Sequence, residues 1–301
     1  MRRAGGLFVS LLIAVILGCA PGARGAQMAE LAEGVWAFVG ADGATNSGFV
    51  VTGDGVVVID SQGPRPLALL LRKKIREVTA KPVIYVINTH YHGDHTFGNQ
   101  FFPEAWAVIS HEKTRKALLE KDKEHRERFK SFFGPESLEG FALTLPNITF
   151  TERMTLRAGG RTMELVYAGR RAHTGGDVFV FLPEEGVVFA GDLLYSGRLP
   201  LLNDGDTAGA LAALRMLAAT KARKFVPGHG GVTGPGGVAE YTRYLTDLRA
   251  EVKRLMDEGR GVEEIKEEIR LPRYSGYVNY RKWLPANAGQ VYKELERARR
   301  P

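Results

Sequence analysis

The chain has 301 residues, 44% hydrophobic and 25% charged, a balance that excludes a disordered or fibrous protein and allows a sizeable core. Its formal charge is +7, but Arg2, Arg3 and Arg24 lie in an acid-free N-terminal segment, so the remainder carries +4. The other basic residues alternate with acids, as in Lys121-Asp122-Lys123-Glu124, and form no basic stripe with interleaved aromatics, so solvated helix faces are expected and nucleic-acid binding is not.

Residues 1–25 read as an export signal. Arg2 and Arg3 give the positive start, and Leu7 to Leu17 form an apolar stretch short of the ~20 residues a membrane span needs. Cys19, the only cysteine, directly follows Ile16-Leu17-Gly18. Two readings stay open. The segment resembles a bacterial lipobox, in which Cys19 becomes the acylated first residue and a lipid anchor. Alternatively, cleavage falls near Ala23-Arg24-Gly25 and yields a soluble periplasmic protein. Under both, the body has no cysteine pair and no disulfide holds it.

Strand signals come next. Val35 to Val39, Gly48 to Thr52 and Val56 to Asp60 are apolar and rich in β-branched residues, with Gly-Asp-Gly at 53–55 as a hairpin turn. Residues 66–78 carry Leu67, Leu70, Leu71 and Ile75 at helical spacing. Val83 to Ile87 reads as a buried strand, and Trp106 to Ser110 as another. A charged helix is expected over 111–130, with His111 and His125 exposed on it, then loop and short helix over 131–146. Strands resume at Thr149, 163–167, 178–182 and 187–190. Asp206 or Thr207 caps a helix over Ala208 to Ala219, Lys224 to Val226 is a last short strand, and residues from 237 onward are helical. Two batches of strands, each followed by helices, point to an α/β fold of two packed sheets with helices outside. Residues 30–235 are expected to form one domain, and 236–301 a helical C-terminal segment packed on it.

The chemistry concentrates in Asn88-Thr89-His90-Tyr91-His92-Gly93-Asp94-His95. Imidazole nitrogen and carboxylate oxygen are natural zinc ligands, and the end of a buried strand holds them on a rigid rim. Gly93 lets the chain turn so that His90 and His92 face one metal, and Asp94 and His95 another. His173, Asp192 and His229 also lie at strand ends beside glycine. Taken singly, such residues are more often hydrogen-bonded loop residues, turn formers or helix caps; taken with the first cluster, they complete a metal site.

H-x-H-x-D-H followed by His173, Asp192 and His229 in that order resembles the metallo-β-lactamase superfamily over residues 35–235. Val56-Val57-Val58-Ile59-Asp60 resembles its first motif, whose Asp supports the metal loop. The resemblance implies a four-layer αββα sandwich with two Zn²⁺. His90, His92 and His173 would bind one, Asp94, His95 and His229 the other, and Asp192 would bridge both. It implies hydrolysis of an ester, thioester, lactone or amide-like bond of a small-molecule substrate by a metal-bridging hydroxide, with Asp94 orienting the hydroxide. Asp192 resembles glyoxalase II and the lactonases, where β-lactam hydrolases usually carry Cys or Ser; Tyr91 departs from the extra His common in glyoxalase II. Tyr195, three residues after Asp192, matches a lactonase tyrosine that meets the substrate oxygen, and reads equally as a core tyrosine. Asn203 fits a turn better than a substrate contact. The tail, with Asn279-Tyr280-Arg281-Lys282-Trp283, resembles exported quinoprotein-relay zinc hydrolases. A zinc-bearing accessory protein of a periplasmic quinoprotein system, or a β-lactamase, are therefore the competing expectations.

Overall fold

The computed structural model describes residues 25–41 and 44–299. The segment read as an export signal, apart from Gly25, lies outside them, and so does Cys19. β1 (Gln27–Ala32), β2 (Val35–Val39), β3 (Ser47–Val51) and β4 (Val56–Ile59) form an antiparallel meander. β5 (Val83–Ile87), β6 (Ala107–His111) and β7 (Ile148–Phe150) extend it in parallel to a seven-stranded sheet. The parallel crossover from β4 to β5 is α1 (Arg65–Val78). A second sheet of five strands runs in the order β12-β11-β10-β9-β8. It comprises β8 (Arg153–Ala158), β9 (Arg161–Tyr167), β10 (Val178–Leu182), β11 (Val187–Tyr195) and β12 (Lys224–His229), antiparallel except for the β11–β12 pair.

The two-residue period of a strand sorts β4 cleanly. Val56 and Val58 pack with Leu71 and Ile75 of α1. Val57 and Ile59 point the other way, into a shared core with Leu165, Val178, Val180 and Phe189 of the second sheet. Burial on both faces explains why the strand is an unbroken apolar run. The outer face of the second sheet, with Phe179 and Val188, is covered by α5 (Thr207–Ala219), α6 (Pro235–Asp257) and α8 (Tyr280–Arg299). The layers are therefore helix, sheet, sheet, helices, with a helical C-terminal segment that also includes α7 (Val262–Glu268). Among the described residues no helix is long and apolar enough to cross a membrane.

Several local expectations change. β1 and β8 are strands without a strong sequence signal; Gln27–Ala32 is ordered by its pairing with β2. The single helix expected over 111–130 is two, α3 (Glu112–Glu120) and α4 (Asp122–Phe133), broken at Lys121. His111 and His125 are buried, at 1% and 5% exposure, not exposed. His111 caps α3, its Nδ1 accepting from Lys113 N at 3.2 Å, while its Nε2 pairs with Thr151 O at 2.7 Å. His125 lies flat on Tyr91, ring centroids 4.3 Å apart. The charge around both hid the fact that α3 packs back onto the sheet and α4 onto the loop that carries Tyr91. Asp206 is the α5 cap, its carboxylate accepting from Gly209 N at 2.9 Å.

Candidate metal centre

The site lies where both sheets end. After β5 the chain enters the short helix α2 (Gly93–Thr96), which holds Asp94 and His95 one turn beyond His90 and His92. His173 precedes β10, Asp192 sits inside the C-terminal part of β11, and His229 closes β12. All seven side chains predicted as ligands meet here, in two groups: His90, His92, His173 and Asp192, and Asp94, His95 and His229, the candidate ligand atoms of each group lying within 4.8 Å of one another.

Asp192 faces both groups. Its Oδ2 lies 3.1 Å from His173 Nε2 and 3.9 Å from His90 Nε2, whereas its Oδ1 lies 3.2 Å from His95 Nε2 and 3.5 Å from His229 Nε2. Two glycines make this possible. Gly191 takes φ +51°, a left-handed turn that an L side chain resists, and a Cβ on Gly228 would lie 1.8 Å from Asp192 Oδ1.

Three of the five imidazoles, those of His90, His92 and His95, are oriented by a partner on the far nitrogen. His95 Nδ1 pairs with Asp60 Oδ2 at 2.8 Å, and His90 Nδ1 lies 3.0 Å from Thr89 Oγ1. Asp60 also accepts from Thr89 N and Oγ1, both at 2.8 Å, and it does so from a backbone strained at φ +58°. The support expected of Asp60 is thus a fan of three bonds. His92 Nε2 pairs with Asp204 Oδ2 at 3.0 Å, and the same oxygen accepts from Arg128 of α4. Thr45 Oγ1 donates to Asp94 Oδ2 at 2.6 Å. Asp204, Arg128 and Thr45 escaped the sequence reading, because each sits in a loop or on a charged helix with nothing local to mark it. Asn203, beside Asp204, is exposed in the turn and does not line the cavity.

The electrostatics are those of a charged cluster out of water. Burial alone would raise Asp192, but His229, His95 and His173 outweigh it and hold its pKa well below the usual range. Burial alone would lower His229, but Asp192 and Asp94 hold it up at about 9. Burial, with His95 nearby, pushes His90 well down. His90 Nε2, His95 Nε2 and Asp192 Oδ1 are buried without a well-formed hydrogen bond. Such orphaned polar atoms are costly, and converging on one spot they present the donor set that a zinc ion satisfies, so the residues fit the metal.

Tyr195 is 6% exposed, donates its hydroxyl to Asp192 Oδ2 and stacks on His229 with centroids 5.4 Å apart. It lines a cavity of about 440 Å³ over the cluster. Further parts of its wall come from α4, through Arg128 and Phe129, and from the start of α8, through Lys282 and Trp283. Tyr91, by contrast, is turned away under His125.

The sequence model of the metallo-β-lactamase superfamily matches residues 40–229, and the chain belongs to that superfamily, a class of metal-binding hydrolases. It is 28% identical over 160 residues to the metallo-β-lactamase type 2 of Elizabethkingia meningoseptica, covering 53% of this chain and 56% of that protein. It is 22% identical over 267 residues to the linear primary-alkylsulfatase of Pseudomonas sp. (strain ATCC 19151), covering 75% of this chain and 50% of that one. The chain thus spans about half the length of these two curated relatives. Among solved structures, a metallo-β-lactamase from Pontibacter korlensis superposes with a TM-score of 0.60 at 22% identity, over 73% of this chain and 99% of that one. A double mutant of a sec-alkyl sulfatase superposes with a TM-score of 0.73 at 16% identity, over 90% of this chain and 50% of that one. These likenesses support the αββα fold.

Proposed function

We propose that the chain is an exported dinuclear zinc hydrolase of small-molecule esters, thioesters, lactones or amide-like bonds. His90, His92 and His173 would hold one zinc and Asp94, His95 and His229 the other, with Asp192 offering an oxygen to each group. The observation that carries this reading is the division of Asp192, one oxygen toward each histidine group. Zinc bound there supplies a water of pKa about 7 and polarises the substrate's carbonyl oxygen. The chain's own residues do the rest. Asp60, Thr89 and Asp204 fix His95, His90 and His92 through their far nitrogens, leaving the inner ones for metal. Asp94, 22% exposed at its side chain, is held by Thr45 at Oδ2 and is placed to orient the attacking water. Tyr195 fixes Asp192 through its hydroxyl, a positioning role, from a place where it also meets substrate. The signal features of residues 1–25 support export, with Cys19 as the candidate lipid anchor.

The test has two parts. Elemental analysis of protein purified without chelator should give close to two zinc per chain; a value near zero after reconstitution overturns the ligand assignment. The zinc-loaded protein is then screened against thioesters, lactones, β-lactams and alkyl sulfates, the last two because relatives carry those names. No turnover on any class would favour the accessory-protein reading. Mass spectrometry of protein from the native cell reads the N-terminus: a diacylated Cys19 or a start near Ala26 supports export, and an intact Met1 refutes it.

A further inference from the structure

We infer that the cavity selects substrates carrying an anionic group remote from the scissile bond and joined to it by an apolar body, with Lys282 as the anion-binding residue. This rests on the hydrolase reading for the scissile bond but not for the binding preference. The cavity's acids, Asp94 and Asp192, belong to the candidate metal cluster. The remaining charged groups of its wall are all cationic: Arg128, Arg198 and Lys282. Arg128 is paired by Asp204, and Arg198 lies buried over the Trp283 ring at 6.0 Å. Lys282 is exposed at the rim and has no ion-pair partner among the described residues. Apart from Thr45, Asn279 and the imidazoles, the rest of the wall is apolar and aromatic and includes Phe129, Phe132, Phe133 and Trp283. Phe132 is 51% exposed, which suits a side chain waiting for a ligand more than one finished by its own fold.

The position of Lys282 is built and not incidental. Leu199 N donates to Val278 O at 3.0 Å, and Val278 N donates to Gly197 O at 3.1 Å, so the tail is zipped onto the chain just beyond β11. Asn279 then takes a left-handed φ of 65° at the cavity wall and starts α8 there. The first turn of α8 contains no acid. Two cations, Arg281 and Lys282, sit instead at the helix end where cations are least favoured, a placement that an anion offsets. At about 440 Å³ the cavity suits a small molecule, such as a ring or short alkyl chain bearing one anion, and not a polymer.

The test separates this from turnover. Calorimetry on the metal-loaded protein compares 3-phenylpropane-1-sulfonate with the neutral 3-phenylpropan-1-ol. The sulfonate should bind about tenfold tighter. The preference should shrink toward unity in Lys282→Met, whose fold is checked by circular dichroism, and persist in Lys282→Arg. Equal binding of the two probes in the parent, or a preference untouched by Lys282→Met but lost on chelation, overturns the proposal, the latter placing the anion on metal. In parallel, kcat/KM is measured for aryl esters with and without a remote carboxylate in the acyl part. A sulfonate preference without hydrolysis of either ester keeps the anion subsite and removes such esters from the proposed substrates. Hydrolysis without any anion preference keeps the hydrolase and refutes the anion subsite.

Discussion

Asp204 offers the sharpest test of how this site is held together. It touches none of the other six candidate ligands, yet its Oδ2 lies 3.0 Å from His92 Nε2. That contact fixes the proton on Nε2 and leaves Nδ1, which lies 2.9 Å from His173 Nε2, as the inward donor. Replacing Asp204 by Asn keeps the shape and removes the charge. Loss of such an outer carboxylate costs metal affinity about tenfold to a hundredfold. That corresponds to about 1.4–2.7 kcal/mol, in the range of one hydrogen bond to a charged group. The fold should lose no more than about 1 kcal/mol, because Arg128, left without its partner, is 29% exposed and stays in water. Competition titration of zinc against a chromophoric chelator reads the two sites separately. One should weaken by the stated factor and the other hold. Arg128→Met, which leaves the Asp204–His92 pair in place, should weaken it far less. Parental affinity at both sites in Asp204→Asn would refute the claim that Asp204 orients His92.

Other outcomes follow from the same geometry. Asp192→Asn should lose tight binding of the second zinc and lower turnover by more than about a hundredfold with an unchanged circular dichroism spectrum; two tight zincs and near-parental turnover would reduce Asp192 to a turn residue. Gly228→Ala forces a methyl onto Asp192 Oδ1, so zinc content should drop, and stability by about 1–3 kcal/mol, measured by denaturant titration. His111, buried between Tyr167 and Thr151, has its pKa lowered chiefly by burial. Its folded pKa lies below its unfolded value, so its contribution is present above about pH 6.5 and is lost as pH falls toward the folded pKa. Between pH 7.5 and 5 the parent should therefore lose more stability than His111→Gln in denaturation curves; identical slopes would remove His111 from the account.

The seven candidate ligands were legible in the sequence because their chemistry is local. Three imidazoles and a carboxylate follow a buried strand within six residues, and three more donors stand at strand ends beside glycine, a set that little but a metal would draw together. The two-sheet core was legible for a similar reason, since β4 and β5 are apolar runs that only burial on both faces accommodates. Other features left no trace. β1 becomes a strand only because β2 offers it a partner. His111 and His125 lie among charges, so their burial depends on how α3 and α4 fold back. Asp204 is one acid in a turn, and it matters because residue 92 stands beside it in space. Lys282 and Trp283 reach the cavity through the backbone bonds between residues 278 and 197–199. Sequence by itself determined which atoms are available to a metal, because ligand identity is a property of side chains. Only the tertiary structure decided which carboxylate steers which imidazole and what wall a substrate meets, because those pairings join segments that lie about a hundred residues apart along the chain and are set by packing.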